Sequence, residues 1–267
     1  MNELARRFID EGFVAIPQAV PRDVALECAD LLWSEIGYDR HDRATWTEPV
    51  RWVFAMDAAP FRAAANSPAL IQAFDTLVGP DRWVPRTSLG SFPLRFPHTV
   101  APDDAGWHVD GSYQPEGAST YWVNLRSKGR ALLMLFLFSD VAEEDAPTRI
   151  RVGSHRDIPP LLVPHGERGV SMFRIAAEIE AASAHRPLTL ATGRAGDVFL
   201  CHPFLVHAAQ PHHGQRPRFL AQPPLYPASQ LELERADGGY SPVELAIREG
   251  LRGRGRTDML DRWEPAN

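Results

Sequence analysis

Lysine is almost missing from this chain: of 28 basic residues one, Lys128, is a lysine and the others are arginines. Arginine is therefore the default cation, and no arginine stands out merely by being one. A positive surplus is missing too. Acidic residues number 34 and the net charge is -6, which argues against nucleic acid as a partner, because such proteins carry a basic face. Cysteine is scarce. Cys28 and Cys201 lie far apart, too few for a disulfide framework or a zinc cluster, and they fit a reducing compartment. Long apolar runs are absent as well: the longest, Ala131 to Phe138, is far short of the roughly 20 residues that cross a bilayer. The opening residues lack the apolar stretch of a signal peptide. The expectation is a soluble, cytoplasmic protein with no membrane partner.

What is present suffices for one well-filled core, with 267 residues of which 44% are hydrophobic. Residues Asn2 to Asp10 read as a helix, broken at Gly12, and Phe13 to Ile16 as a strand. Pro21 opens an amphipathic helix to Ile36 whose apolar stripe is read as Val24, Leu26, Leu31, Leu32 and Ile36. Tyr38 to Glu48 reads as a charged loop carrying Trp46, solvated or serving as a lid. Phe61 to Leu77 reads as one or two helices interrupted at Ser67-Pro68. From Trp83 the texture changes to short apolar runs between Gly, Pro and Asp. Expected strands are Trp83–Ser88, Phe92–Phe96, Ser119–Leu125, Ala131–Phe138, Thr148–Val152, Leu188–Ala191, Val198–Phe204 and Arg218–Tyr226. Short strands punctuated by turns suggest a sandwich or jelly roll with flanking helices rather than βαβ units. With no repeat or linker, the chain reads as one domain: 1–80 mostly helical, 83–226 the β core, 240–267 a helix (Ser241 to Arg252) and an Arg/Gly-rich tail.

One stretch, Gly106 to Ser112, carries chemistry. On extended backbone residues i and i+2 share a face, so His108 and Asp110 can aim an imidazole and a carboxylate at one point. A second, distant histidine would complete a 2-His-1-carboxylate site that leaves coordination positions of Fe(II) open. His155, His202 and His207 all sit at strand ends; His212 and His213 fall in a polar loop where surface exposure is expected. His207 is favoured by the segment after it. The chain turns through Pro211 to Gly214 and re-enters a strand at Arg218, which brings Arg218 back toward His207. Alternation puts Arg218, Leu220 and Gln222 on one face. An inward-pointing arginine needs an anionic partner, either an internal Asp or Glu or a bound dicarboxylate.

His108-Val109-Asp110, Gly196-Asp197-Val198 ahead of His207, Arg218 eleven positions later, Gly153-Ser154-His155 and the Phe8 to Val20 entry resemble the phytanoyl-CoA dioxygenase family of Fe(II)/2-oxoglutarate oxygenases. The resemblance implies a double-stranded β-helix (jelly-roll, cupin-like) core. It implies that His108, Asp110 and His207 ligate Fe(II), that Arg218 pairs with the far carboxylate of the cosubstrate 2-oxoglutarate, and that His155 is structural. It also implies dioxygen as a reactant, release of succinate and CO2, and oxidation, most simply hydroxylation, of a small-molecule metabolite or natural product. A carboxylate at position 110 fits oxygenation, since related halogenases carry a small residue there. Asn-Gly usually precedes the Gly-Ser-His segment; Glu144 to Arg149 stands here instead, so a differently shaped turn is expected. Trp107, Ser112, Tyr113, Trp122 and Arg130 are candidate pocket residues, with Trp122 assigned to the cofactor. Arg95 is a second anion contact or a surface ion pair. Competing readings are a cupin-type isomerase or epimerase, a non-catalytic binding jelly roll, and a zinc hydrolase.

Overall fold

Asn2 opens helix α1 (Glu3–Glu11) by accepting a 2.9 Å bond from the Ala5 N–H, and Gly12 closes it in the left-handed region at φ 83°. The computed structural model describes residues 1–252. Strand β1 (Phe13–Ile16) and helix α2 (Arg22–Ile36) follow. The stripe of α2 is rotated from the expected one. Ala25, Cys28, Leu32 and Ile36 are buried, whereas Leu26 is exposed and Val24 and Leu31 are half-buried. Small side chains at 25 and 28 face inward and let the helix axis approach its neighbours closely.

The loop after α2 is pinned rather than free. Trp46 is buried, donates to the Asp39 carbonyl and packs against Trp33 and Phe96. Strand β2 (Val50–Val53) comes next, then α3 (Ala59–Ala65) and α4 (Pro68–Leu77), separated by Ser67, whose hydroxyl caps α4. Strand β3 (Phe92–Arg95) pairs antiparallel with β2. The expected strand at Trp83–Ser88 does not form. Pro85 interrupts its donors, and only Trp83 makes a bridge, to Pro227.

The remaining strands are β4 (Trp122–Val123), β5 (Leu132–Leu137), β6 (Arg149–Arg151), β7 (Val170–Ser171), β8 (Leu188–Leu190), β9 (Val198–Cys201), β10 (His207–Ala208), β11 (Leu220–Ala221) and β12 (Pro224–Leu225). Between them lie short helices α5 (Pro159–Leu162) and α6 (Ala176–Ser183), and α7 (Pro242–Arg252) closes the described chain. Several expected strands are trimmed. Val198–Phe204 stops at Cys201 before His202-Pro203, and Arg218–Tyr226 splits at Pro223. Strands β2, β7 and β10 and helices α5 and α6 were not expected. The Arg/Gly-rich tail lies outside the described residues.

Two sheets build the barrel. The larger runs β1-β9-β5-β11 with β12 also on β5; the smaller runs β10-β6-β8. β5 is buried throughout, and its alternation sorts two cores. Leu133, Leu135 and Leu137 face the interior with Phe13, Phe199, Ile150 and Leu220. Met134, Phe136 and Phe138 face outward onto the helical layer with Leu32 and Phe61. This is a double-stranded β-helix with helices on one outer face. No helix among the described residues is long and apolar enough to cross a membrane.

Candidate active site

His108 and His207 are joined through their backbones. They form an antiparallel bridge in which each N–H donates to the other's carbonyl at 3.0 Å. Val109 is fully buried in the core against the helices, so His108 and Asp110 on either side of it point the opposite way. His108 Nε2 and His207 Nε2 lie 3.6 and 3.7 Å from the same Asp110 oxygen, Oδ1. The three donor atoms fall within 4.8 Å of one another, a spacing that one metal ion can bridge. His108 Nδ1 sits 2.8 Å from the Gly106 carbonyl and His207 Nδ1 3.0 Å from that of Leu205. Each imidazole thus spends Nδ1–H on the carbonyl two residues back, which fixes its orientation and leaves the Nε2 lone pair for a metal.

Electrostatics prepare the donors. Burial opposes charge on Asp110, but the Arg130 guanidinium and the His108 bond override it and hold the carboxyl well below its usual range. Arg130 Nη1 is 3.1 Å from Oδ2, and Nη2 donates to the Gly111 carbonyl. Burial, then the neighbouring His108, pushes His207 down to about 4, so its imidazole is neutral near pH 7. Burial also works against a proton on His108, yet Asp110 next to it raises that group overall.

A cavity of about 120 Å³ adjoins the donors and contains Arg218, Arg95, Thr148 and Gln222 with His108 and His207. Arg218 is almost fully buried. It donates to the Ala146 and Pro93 carbonyls at 2.6 and 3.0 Å, while its Nε has no hydrogen-bond partner among the described residues. Arg95 sits opposite it in an antiparallel bridge and pairs with Asp104; it is buried, not on the surface. Two guanidinium groups thus lie side by side with one nearby carboxylate, which pairs with Arg95. Among the described residues Arg218 has no acidic partner of its own, and burial with the Arg95 charge lowers its pKa. A buried cation with a spare donor fits an incoming carboxylate.

A second, larger chamber of about 610 Å³ opens outward from Asp110 and shares Trp52 and Gln222 with the first. Ser112 and Arg130 line it as expected. Trp107, Tyr113 and Trp122 line neither chamber. Trp107 carries the guanidinium groups of Arg149 and Arg151 over its ring, 4.7 and 4.2 Å from the centroid, and Tyr113 donates to the Arg168 carbonyl. Trp122, assigned to the cofactor from the sequence, stands on β4 paired with β7, with the Arg168 guanidinium over its ring. Arg86, Phe54, Tyr121 and Tyr226 line the outer chamber without having been anticipated. They come from irregular segments where periodicity says nothing about facing.

The other histidines fall elsewhere. His155 and His202 are fully buried with rings 4.9 Å apart, bonded to the carbonyls of Ile9 and Val243 between α1 and α7. His212 is buried rather than exposed, because its Nε2 and Nδ1 close the turn through Arg216 and Gly214. His213 is exposed.

Comparison with known proteins agrees with this geometry. Residues 37–220 match the model of the family described as phytanoyl-CoA dioxygenase. HygX from Streptomyces hygroscopicus, solved with nickel and 2-oxoglutarate bound, is 20% identical, with 83% of this chain and 85% of that one covered and a TM-score of 0.53. The epimerase SnoN, solved with Fe3+, alpha ketoglutarate and nogalamycin RO, is 21% identical over 99% of this chain and 94% of its own, with a TM-score of 0.54. The carbocyclase SnoK from nogalamycin biosynthesis is 18% identical over 100% and 92%, with a TM-score of 0.51. No match was found among curated proteins. With the family model spanning more than half of its length, the chain belongs to the phytanoyl-CoA dioxygenase family of Fe(II)/2-oxoglutarate-dependent oxygenases.

Proposed function

We propose that this protein is an Fe(II)- and 2-oxoglutarate-dependent dioxygenase that hydroxylates a small molecule, with His108, Asp110 and His207 as metal ligands and Arg218 as the anchor of the cosubstrate. The observation that carries the reading is the pairing of two features in one cavity. A three-donor set, its two histidines lining the cavity, adjoins a buried arginine that among the described residues lacks an acidic partner. A simple metal-binding jelly roll has no use for that arginine.

Iron bound there, with dioxygen and 2-oxoglutarate, supplies an oxidation coupled to loss of CO2 and release of succinate. The protein's part is placement. Nδ1–H bonds to the Gly106 and Leu205 carbonyls keep both Nε2 atoms facing the ion. The Arg130 guanidinium, 3.1 Å from Asp110 Oδ2, would leave Oδ1, the oxygen nearer the two imidazoles, to a metal. Arg218 would receive the far carboxylate of 2-oxoglutarate in a charge-assisted bond worth about 1.5–3 kcal/mol. Trp52 and Gln222 stand where the chambers meet, between cosubstrate and substrate.

Anaerobic titration of Fe(II)-loaded protein with 2-oxoglutarate tests this directly. A visible metal-to-ligand charge-transfer band is expected; its absence from folded, iron-loaded protein would remove the proposal. Reaction type is read from the product mass. Hydroxylation adds one oxygen, epimerisation leaves the mass unchanged, and ring closure removes two hydrogens.

A further inference from the structure

We infer that the substrate of this site is a carboxylic acid with a flat, largely aromatic body, held at the chamber mouth by Arg86 and a collar of aromatic rings. The inference rests on the oxygenase reading for its chemistry, not for its geometry.

Three observations combine. The outer chamber, at about 610 Å³, falls in the range of sites for small organic ligands. Its rim gathers Trp52, Phe54, Tyr121 and Tyr226, which are 42%, 78%, 57% and 47% exposed. Such a concentration of solvent-facing rings is costly in water and marks a place where apolar surface is covered by something else. Stacking geometry, rather than bulk greasiness, is what rings offer a ligand, so a flat partner suits them best.

Charge supplies the second half. The ionisable side chains lining this chamber, tyrosines apart, are Arg86, Asp110 and Arg130. Arg130 and Asp110 neutralise each other at 3.1 Å. Arg86 remains. Its Nε and Nη1 donate to the Ser88 and Pro224 carbonyls at 3.0 and 2.6 Å, and its guanidinium stacks on Tyr226, 5.0 Å from the ring centroid. These contacts fix the plane of the group without answering its charge. Among the described residues no carboxylate pairs with Arg86, and Nη2 makes no hydrogen bond. A fork held rigid by two carbonyls and a ring loses little freedom when it binds, and its shape matches a planar carboxylate. Because Arg86 and Asp110 line the same chamber, an acid anchored at Arg86 has its body directed toward the metal donors.

The test compares aromatic acids with their own neutral amides: 2-naphthoate against 2-naphthamide, and anthraquinone-2-carboxylate against its amide. Binding is measured calorimetrically on protein first loaded with nickel and 2-oxoglutarate, so that Arg218 is already engaged. Each acid is expected to bind at least about tenfold more tightly than its amide, as one charge-assisted pair allows. Arg86→Gln should remove that preference and leave amide binding unchanged, while Arg86→Lys keeps part of it. Equal affinities in the unaltered protein, no binding of either acid, or a preference that survives Arg86→Gln would each overturn the inference. The acid–amide comparison needs no variant, so misfolding of Arg86→Gln does not spoil it. The loading step separates the two proposals. If 2-oxoglutarate fails to bind, the oxygenase reading falls, and the same titration on metal-free protein still decides what Arg86 does.

Discussion

Arg130 engages Asp110 through the oxygen that the histidines leave alone: Nη1 lies 3.1 Å from Oδ2, while Oδ1 faces His108 and His207 at 3.6 and 3.7 Å. The arginine therefore orients the carboxylate as the two backbone carbonyls orient the imidazoles. Partners of this kind typically contribute ten- to a hundredfold in metal affinity. Arg130→Met should weaken Fe(II) or Ni(II) binding by about that factor, read by titration with a competing chelator. Arg130→Lys should recover part of it. Unchanged affinity in a folded Arg130→Met variant would show that Asp110 needs no such help.

Arg218 shares a cavity with His108 and His207 without belonging to the three-donor set, so on the proposed reading its loss should separate cosubstrate binding from metal binding. Arg218→Met keeps the bulk of the stem but removes the charge beside Arg95. The expected result is about ten- to hundredfold weaker 2-oxoglutarate binding, corresponding to one charge-assisted bond. Metal affinity should stay within about twofold. Loss of both together would mean that the arginine holds the barrel rather than the ligand.

Backbone periodicity made the site legible in the sequence. His108-Val109-Asp110 is informative because a period of two survives even where the segment makes only single bridges. The same period placed Arg218 and Gln222 in one cavity, which His108 and His207 also line. Partners of His108 and His207 were hidden, since they are the main-chain carbonyls of Gly106 and Leu205. Sequence does not distinguish one carbonyl from another. Trp122 lies outside the lining of both chambers, because β4 is short and its pairing with β7, not a long alternating run, sets where its residues face. Leu26 is exposed for another reason. In α2 the smaller Ala25 and Cys28 win the buried face, which hydrophobicity alone would assign to leucine.

Buried neutral histidines make stability depend on pH. Burial lowers His202 from 6.5 to about 3, and His155 beside it is lowered by burial and by the neighbouring His202. Between these limits the unfolded chain binds protons that the folded one refuses, so stability rises with pH and is lost as pH falls below about 6.5. Each such histidine contributes a slope of up to about 1.4 kcal/mol per pH unit. Urea midpoints of the metal-free protein should therefore fall from pH 7 to pH 5. In His202→Asn the dependence should flatten by up to one proton's worth; an unaltered slope would place the titrating groups elsewhere.

The turn that departs from the family pattern offers the last test. Within the stretch Glu144 to Arg149, Ala146 adopts φ 53°, a left-handed conformation that its Cβ resists. The strain is sustained because both neighbours are occupied. Asp145 accepts the Ala142 N–H and pairs with Arg216, and the Ala146 carbonyl receives Arg218 Nη1 at 2.6 Å. Ala146→Gly keeps that carbonyl and removes the clash. It should stabilise the protein by about 0.5–1 kcal/mol, after the greater freedom glycine gives the unfolded chain is subtracted. Thermal unfolding reads the gain, and 2-oxoglutarate affinity should hold, since the carbonyl that seats Arg218 is retained. A destabilised Ala146→Gly would mean that alanine fits this turn without strain and that its methyl group packs usefully in the buried site it occupies.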